Sequence, residues 1–200
     1  MGAFPIFLEL KGRRCLVIGG GEAAASRAAA LSRAGASVQL ARGFAPAMLD
    51  GTALVFVAGA SLAVGEEVAR EAQARAIPVN VIDEPRLCSF LMPAVVERGP
   101  VTVAIGTGGA APMLARLVRQ WLDLVLPLRL GALAALAGRF RPLVKRRLPD
   151  FAARRRFWQR ILTGDVARLA LAGDDTAAAA ALMAALDGAQ RAATREDKAA

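Results

Sequence analysis

Apolar and polar positions alternate in two regimes along the 200 residues. From the N-terminus to about residue 110, short apolar runs are separated by helical patterns. Cys15–Ile18, Ser37–Ala41, Leu54–Ala58, Ile77–Ile82 and Val101–Ile105 read as strands. Between them, 22–34 forms an alanine-rich helical pattern stopped by Gly35, and a second helix is expected near 65–76. Such βαβ alternation predicts an α/β fold, a Rossmann-like doubly wound parallel sheet with helices on both faces. Only a dozen residues separate Ala41 from Leu54, enough for one parallel crossover but not for two with a strand between them. The sheet is therefore expected to be shortened by one strand-helix unit.

Beyond Pro112 the period turns helical. Helices are expected over 113–125, 130–147, 151–162, 165–172 and 174–186, punctuated by Pro127, Pro149, Gly164 and Gly173, with a polar, frayed tail from Gly188. This divides the chain into a nucleotide-binding domain, 1–111, and an all-helical dimerisation and substrate-binding region, 112–200. In 151–162, the 3.6-residue period places Phe151, Trp158, Ile161 and Leu162 on one apolar face. Arg156 and Arg160 fall opposite, and Arg154 falls inside the apolar arc as a candidate contact to an anion or a partner chain.

Composition sharpens this picture. Hydrophobic residues make up 56 % of the chain, but much of the excess is alanine, and Asp123, Pro127 and Arg129 interrupt the longest apolar stretch. No membrane span and no secretory signal is expected, and a cytoplasmic location fits. The chain has no histidine, which removes Ser-His and Cys-His nucleophiles and leaves proton transfer to a carboxylate. Its two cysteines lack metal-site or disulfide-framework spacing. The net charge is +9, of which residues 111–200 carry +8, concentrated in 139–160. A basic helical stretch is compatible with nucleic acid, but few aromatic residues interleave it and most of those read as core, so nucleic acid is not the expected partner. Because only three of the 26 cations are lysine, a polycarboxylate that arginine forks can clamp fits better.

Three motifs carry candidate chemistry. Gly19-Gly20-Gly21-Glu22-Ala23-Ala24 follows a strand and opens a helix, as the dinucleotide fingerprint GxGxxA requires. Gly19 serves the tight turn, Gly21 the close approach of backbone to pyrophosphate, and Ala24 the packing of helix on strand. The acid that usually holds the ribose is absent at the end of the second strand. Arg42-Gly43-Phe44 stands there instead, and Arg42 either tolerates a 2′-phosphate or faces solvent. The second motif is Asn80 to Asp83 at the carboxyl end of a strand, where open α/β sheets place ligands, although an Asp before Pro85 also suits a plain turn. The third, Gly106-Thr107-Gly108-Gly109, either offers backbone donors to an anion or acts as a mobile linker.

Taken in order, these segments resemble the precorrin-2 dehydrogenase/sirohydrochlorin ferrochelatase module of siroheme synthases. Phe4 to Leu10, Arg13 to Gly21, Val79 to Asp83, Ser89 to Ala94, Arg98-Gly99-Pro100, Gly106 to Leu117, Arg154 to Trp158 and Leu171 to Asp174 carry the likeness over nearly the whole chain. The resemblance implies NAD-dependent oxidation of precorrin-2 to sirohydrochlorin, in some members followed by insertion of Fe(II) to give siroheme, in a homodimer. It places the family's aspartate, which serves dehydrogenation and transiently meets the metal during chelation, on Asp83. The cofactor loop falls on Gly19, Gly20, Gly21, Glu22 and Ala23, with Arg42, Gly43 and Phe44 near the adenosine. Asn80, Thr107, Gly108 and Arg154 are the candidate substrate contacts, Thr107 standing where the family has a phosphorylatable serine.

Against the family pattern, about twenty residues are missing before Leu54, Gly59-Ala60-Ser61 replaces Thr-Asp-Asp, and Gly65 replaces Asn. The alternative to an enzyme is a tetrapyrrole-binding protein with a degenerate cofactor site. No methyltransferase domain follows in this sequence, so the upstream methylation is expected of another protein.

Overall fold

The computed structural model describes Ala3–Asp197 and separates into two compact units. One comprises the chain up to Pro93 together with Gly106–Pro112; the other comprises Ala94–Ile105 and the chain from Met113 onward.

In the first unit β1 (Arg14–Gly19), β2 (Ser37–Ala41), β3 (Thr52–Ala58) and β4 (Val79–Val81) form a parallel sheet in the order β2-β1-β3-β4. Helices α1 (Gly21–Arg33) and α2 (Leu62–Ala74) make the βα connections. Near-continuous apolar strands result from burial on both faces: Cys15, Leu16, Val17 and Ile18 of β1 are wholly buried. Leu16, Ile18, Val55 and Val57 pack with Val68, Ala69 and Ala72 of α2, while Cys15, Val17, Leu54 and Phe56 pack with Ala24 and Leu31 of α1.

The connection from β2 to β3 has no α-helix. A single 3₁₀ turn, Pro46–Leu49, spans it and drives Leu49 into the α2-side core. This is the shortening expected from the crossover length. Its consequence is that β2 forms a sheet edge, with Leu40 half exposed.

The second unit contains a hairpin that the sequence pattern did not reveal. Val101–Ile105 (β6) does not join the parallel sheet as expected; it pairs antiparallel with β5 (Ala94–Arg98). The two-residue turn Gly99-Pro100 joins them, and Gly99 adopts φ +61°. Five helices follow: α3 (Pro112–Val125), α4 (Leu130–Arg147), α5 (Phe151–Thr163), α6 (Asp165–Ala172) and α7 (Asp175–Asp197). The hairpin lies within this unit because Gly131 opens α4 directly against it. A Cβ on Gly131 would stand 2.2 Å from the Arg98 carbonyl oxygen. Arg98 in turn donates to the Asp123 carboxylate (2.9 Å) and carbonyl (2.7 Å) at the end of α3.

Leu133, Leu136, Val144, Phe157, Ile161, Val166, Ala178, Leu182 and Leu186 form the helical core. The buried side of α5 is turned from the expected one, carrying Phe157 and Ile161, whereas Phe151 is 73 % exposed and Leu162 half exposed. Asp150 caps this helix by accepting from the Ala153 amide, leaving Phe151 in its first turn, ahead of the packed segment. Helix α7 also runs straight through Gly188, where fraying was expected.

Candidate functional site

The four parallel strands bring Gly19, Ala41, Ala58 and Val81 to one edge of the sheet, the carboxyl edge where ligands of this architecture bind. Gly19 adopts φ +124°, and a Cβ there would meet the Ala58 carbonyl oxygen at 1.9 Å. Gly20 is extended and donates its amide to that same carbonyl at 3.1 Å. The turn therefore clamps β1 to β3 while sending the chain into α1. Gly21 (φ +74°) and Gly20 face open space, and no side chain caps the first turn of α1. Uncapped amides at a helix start are donors awaiting an acceptor. Ala24 is fully buried against the sheet, in the packing role expected of it.

A cleft of about 460 Å³ opens over this turn, lined by Gly19, Gly20, Gly21, Arg42 and Gly59. Four of the five lining residues have no side chain, so backbone and one guanidinium make its walls. Gly59 was seen in the sequence only as a departure from a family pattern. Its φ is +68°, and a Cβ would lie 2.3 Å from the Gly20 carbonyl oxygen, so it is the partner that lets the two βα turns touch. Arg42 is exposed and its guanidinium has no hydrogen-bond or ion-pair partner among the described residues. Glu22 and Ala23 sit in the first turn of α1, offering backbone rather than side chain. Gly43 is exposed, whereas Phe44 packs into the α2-side core. The Gly-rich cradle fits a dinucleotide pyrophosphate: donors point into space that a Cβ would partly fill.

Asp83 stands two residues past β4, on the same edge. With neighbouring strands ~4.8 Å apart, β4 lies about 10 Å across the sheet from β1, the reach of a dinucleotide laid along the edge. Asp83 holds φ +66°, a left-handed conformation that costs an L residue ~1–2 kcal/mol and is best tolerated by Asp and Asn. Its carboxylate is exposed and has no hydrogen-bond or ion-pair partner among the described residues.

The segment after Asp83 is fastened by side chains to β4. The Asn80 amide donates to the Phe90 carbonyl (3.0 Å), the Ser89 hydroxyl accepts from the Val79 amide (2.8 Å), and the Cys88 sulfur accepts from the Val81 amide (3.3 Å). These bonds hold the Asp83 turn. Burial pushes the Cys88 thiol above its ordinary value, so it stays a thiol and donates to the Val81 carbonyl. Asn80, expected to touch substrate, is buried with its amide committed to Phe90, and its place is in fixing this loop.

The Thr107 hydroxyl accepts from the Ala111 amide (3.3 Å) and closes the turn that precedes α3, while Gly108 and Gly109 both adopt positive φ with open space around them. Arg154 lies in the helical unit. Its Nη1 donates to the Leu148 carbonyl at 2.8 Å and also to that of Pro149, closing the end of α4, and its guanidinium sits over Phe151. These contacts make Arg154 a clamp between α4 and α5, the reason its side chain turns into the apolar arc. Among the described residues no group of three or more His, Cys, Asp or Glu side chains is arranged to hold a metal ion. No single described helix is long and apolar enough to cross a membrane.

Fold and edge geometry define a dinucleotide-binding α/β unit joined to a helical unit, and comparison with known proteins agrees. A family model described as "Putative NAD(P)-binding" matches residues 6–47 and 37–94, and one described as "Sirohaem synthase dimerisation region" matches 129–186. The chain is 41 % identical over 209 residues to a siroheme synthase of Methylobacillus flagellatus, covering 94 % of this chain and 45 % of that protein. Siroheme synthases of Nitrosospira multiformis and Pseudomonas entomophila match at 42 % and 41 %, covering 43 % and 45 % of their lengths. Among solved structures, SirC, a precorrin-2 dehydrogenase, superposes with a TM-score of 0.69 at 21 % identity, covering 90 % of this chain and 99 % of that one. The chain is thus similar over nearly its whole length to part of these siroheme synthases, and spans a little under half the length of the curated relatives it matches. The NAD(P)-binding model matches in two overlapping pieces that meet around the β2–β3 connection, the place where the strand-helix unit is missing.

Proposed function

We propose that this chain is a precorrin-2 dehydrogenase, converting precorrin-2 to sirohydrochlorin with an oxidised nicotinamide dinucleotide, NAD at the least, as hydride acceptor. The observation that carries the reading is the shared edge: a glycine-built anion cradle at β1 and β3, and an unpartnered carboxylate in a strained turn beyond β4.

When bound, the dinucleotide supplies the acceptor for one hydride. The amides of Gly21 and the rest of the first turn of α1 hold its pyrophosphate and so fix its register along the edge. Oxidation by two electrons also releases one proton, and in a chain without histidine a carboxylate is the side chain suited to take it. Asp83 is that acceptor. Its exposed carboxylate, not spent on any described cation, is free to face a bulky substrate, and the Asn80, Cys88 and Ser89 bonds keep it there at the cost of a left-handed backbone. Gly108 and Gly109 supply backbone donors for substrate carboxylates, with Thr107 shaping that loop. The arginines of the helical unit raise the local concentration of a polyanion.

The protein works as a homodimer through its helical unit. Support comes from the match to a dimerisation region and from α3, which leaves Met113, Leu117, Trp121 and Leu124 exposed. In a ferrochelatase step Fe(II) would enter as substrate, and the unpartnered, exposed Asp83 carboxylate supports its meeting the metal transiently. A cytoplasmic location suits both chemistries.

The test is product formation. Purified protein given precorrin-2 and NAD is expected to yield sirohydrochlorin with one reduced dinucleotide per product. Binding of tetrapyrrole and dinucleotide without any product would replace the enzyme by a tetrapyrrole-binding protein.

A further inference from the structure

We infer that the cleft contains a phosphate site for the 2′ position of the adenosine ribose, built on Arg42, so that this chain uses NADP in preference to NAD. The inference rests on the dinucleotide reading above and specifies which dinucleotide.

Arg42 is the first residue after β2, the position from which this class of fold reads the ribose 2′ substituent. An acid there accepts from a 2′-hydroxyl; an arginine nearby accommodates a 2′-phosphate. Two observations turn that positional rule into a site. First, Arg42 is the only cleft-lining residue that has a side chain, the rest being Gly19, Gly20, Gly21 and Gly59, so all side-chain chemistry in the cleft is cationic. Second, no carboxylate pairs with the arginine among the described residues, and none follows β2 where an acid would hold the ribose. The only acid between Ala34 and Gly65 is Asp50, which pairs with Arg75 at 2.8 Å. The guanidinium of Arg42 has no partner among the described residues.

The missing strand-helix unit strengthens the case. The β2–β3 connection retains one 3₁₀ turn, and Phe44, the aromatic residue beside Arg42, packs into the core beneath it rather than lining the cleft. An apolar wall for adenine is thus reduced to little, and charge-assisted bonds to a phosphate supply recognition that stacking does not. A guanidinium held in a cleft with backbone donors binds a dianion far better than a hydroxyl.

Titration calorimetry on the full chain with NADP, NAD, 2′,5′-ADP and 5′-AMP isolates the 2′-phosphate without requiring turnover. The expected result is tighter binding of NADP than NAD and of 2′,5′-ADP than 5′-AMP. Arg42→Ala lowers the NADP-to-NAD affinity ratio about 10- to 100-fold, and Arg42→Glu inverts the preference. Equal weakening of NADP and NAD in Arg42→Ala would assign the guanidinium to the pyrophosphate and overturn the inference. So would NAD binding as tightly as NADP to the unaltered protein, which leaves the dehydrogenase reading standing. If NADP binds tightly through Arg42 while precorrin-2 is not oxidised, the inference holds and the dehydrogenase reading falls. If neither dinucleotide binds, both fall. Because Arg42 is exposed, an unchanged thermal midpoint identifies a folded variant.

Discussion

Replacing Gly19 by alanine tests the construction of the cofactor turn through stability alone. The new Cβ would lie 1.9 Å from the Ala58 carbonyl oxygen and 3.2 Å from the Ala60 amide nitrogen, both backbone atoms that no rotamer change can move. Relief requires β1 and β3 to part by more than an ångström at their carboxyl ends, which breaks the 3.1 Å bond from the Gly20 amide to Ala58. That bond accounts for ~1 kcal/mol, and a non-glycine residue at φ +124° costs a further ~1–3 kcal/mol. With some loss of packing around Ile18 and Val57, the total is about 3–5 kcal/mol. Gly20→Ala is the control: its backbone is extended and its Cβ meets nothing within 4 Å, so stability is expected to change by less than about 0.5 kcal/mol. Urea unfolding followed by far-UV circular dichroism measures both, and the two compact units are fitted as separate transitions. The Gly20 variant, though stable, places a methyl group in the cleft and is expected to lose dinucleotide affinity at least ~10-fold. A Gly19→Ala protein unfolding at the same urea concentration as the unaltered chain would refute the clamp.

Other expectations come from the same contacts. Gly131→Ala puts a Cβ 2.2 Å from the Arg98 carbonyl and is expected to free the β5–β6 hairpin from α4, seen as faster amide exchange in 94–105. Leu182→Ala, at a fully buried position, should lower stability by about 2.5–5 kcal/mol in denaturant titration. Arg154→Ala, by removing the clamp on Leu148 and Pro149, should destabilise the helical unit while leaving dinucleotide affinity unchanged in calorimetry. Burial raises the pKa of Cys15 and Cys88 above 9.0, so the folded chain keeps its thiols protonated where the unfolded chain loses them. Their contribution is complete below about pH 9 and falls as pH rises beyond it, by up to ~1.4 kcal/mol per pH unit and group. Cys15→Ala should flatten part of that fall in urea midpoints taken between about pH 8 and pH 10.

The elements whose local signals and tertiary setting agree are legible from sequence: β2, α4 and β6 have the expected bounds because Gly35, Pro127 and Gly106 punctuate them. The carboxyl-edge placement of Gly19 and Asp83 follows from strand pattern and motif alone. Partner choice for β6 is not legible in the same way, since an apolar run does not say which strand it pairs with. The Gly99-Pro100 turn between two β-branched runs was the available clue to the hairpin. The Phe151 face misleads because helical periodicity does not know that the Asp150 cap leaves the first turn in solvent. Gly59 and Asn80 gain their roles only from tertiary proximity, one against Gly20 and the other beneath Phe90.

Turnover of Asp83→Asn with precorrin-2 and dinucleotide tests whether Asp83 at the sheet edge takes the proton as hydride leaves. Asparagine keeps the shape and tolerates φ +66°, so fold and dinucleotide affinity should be unchanged, while the rate of sirohydrochlorin formation falls about 10²- to 10⁴-fold. A variant that binds dinucleotide, unfolds like the unaltered chain and still forms sirohydrochlorin at the full rate would remove Asp83 from the proton transfer.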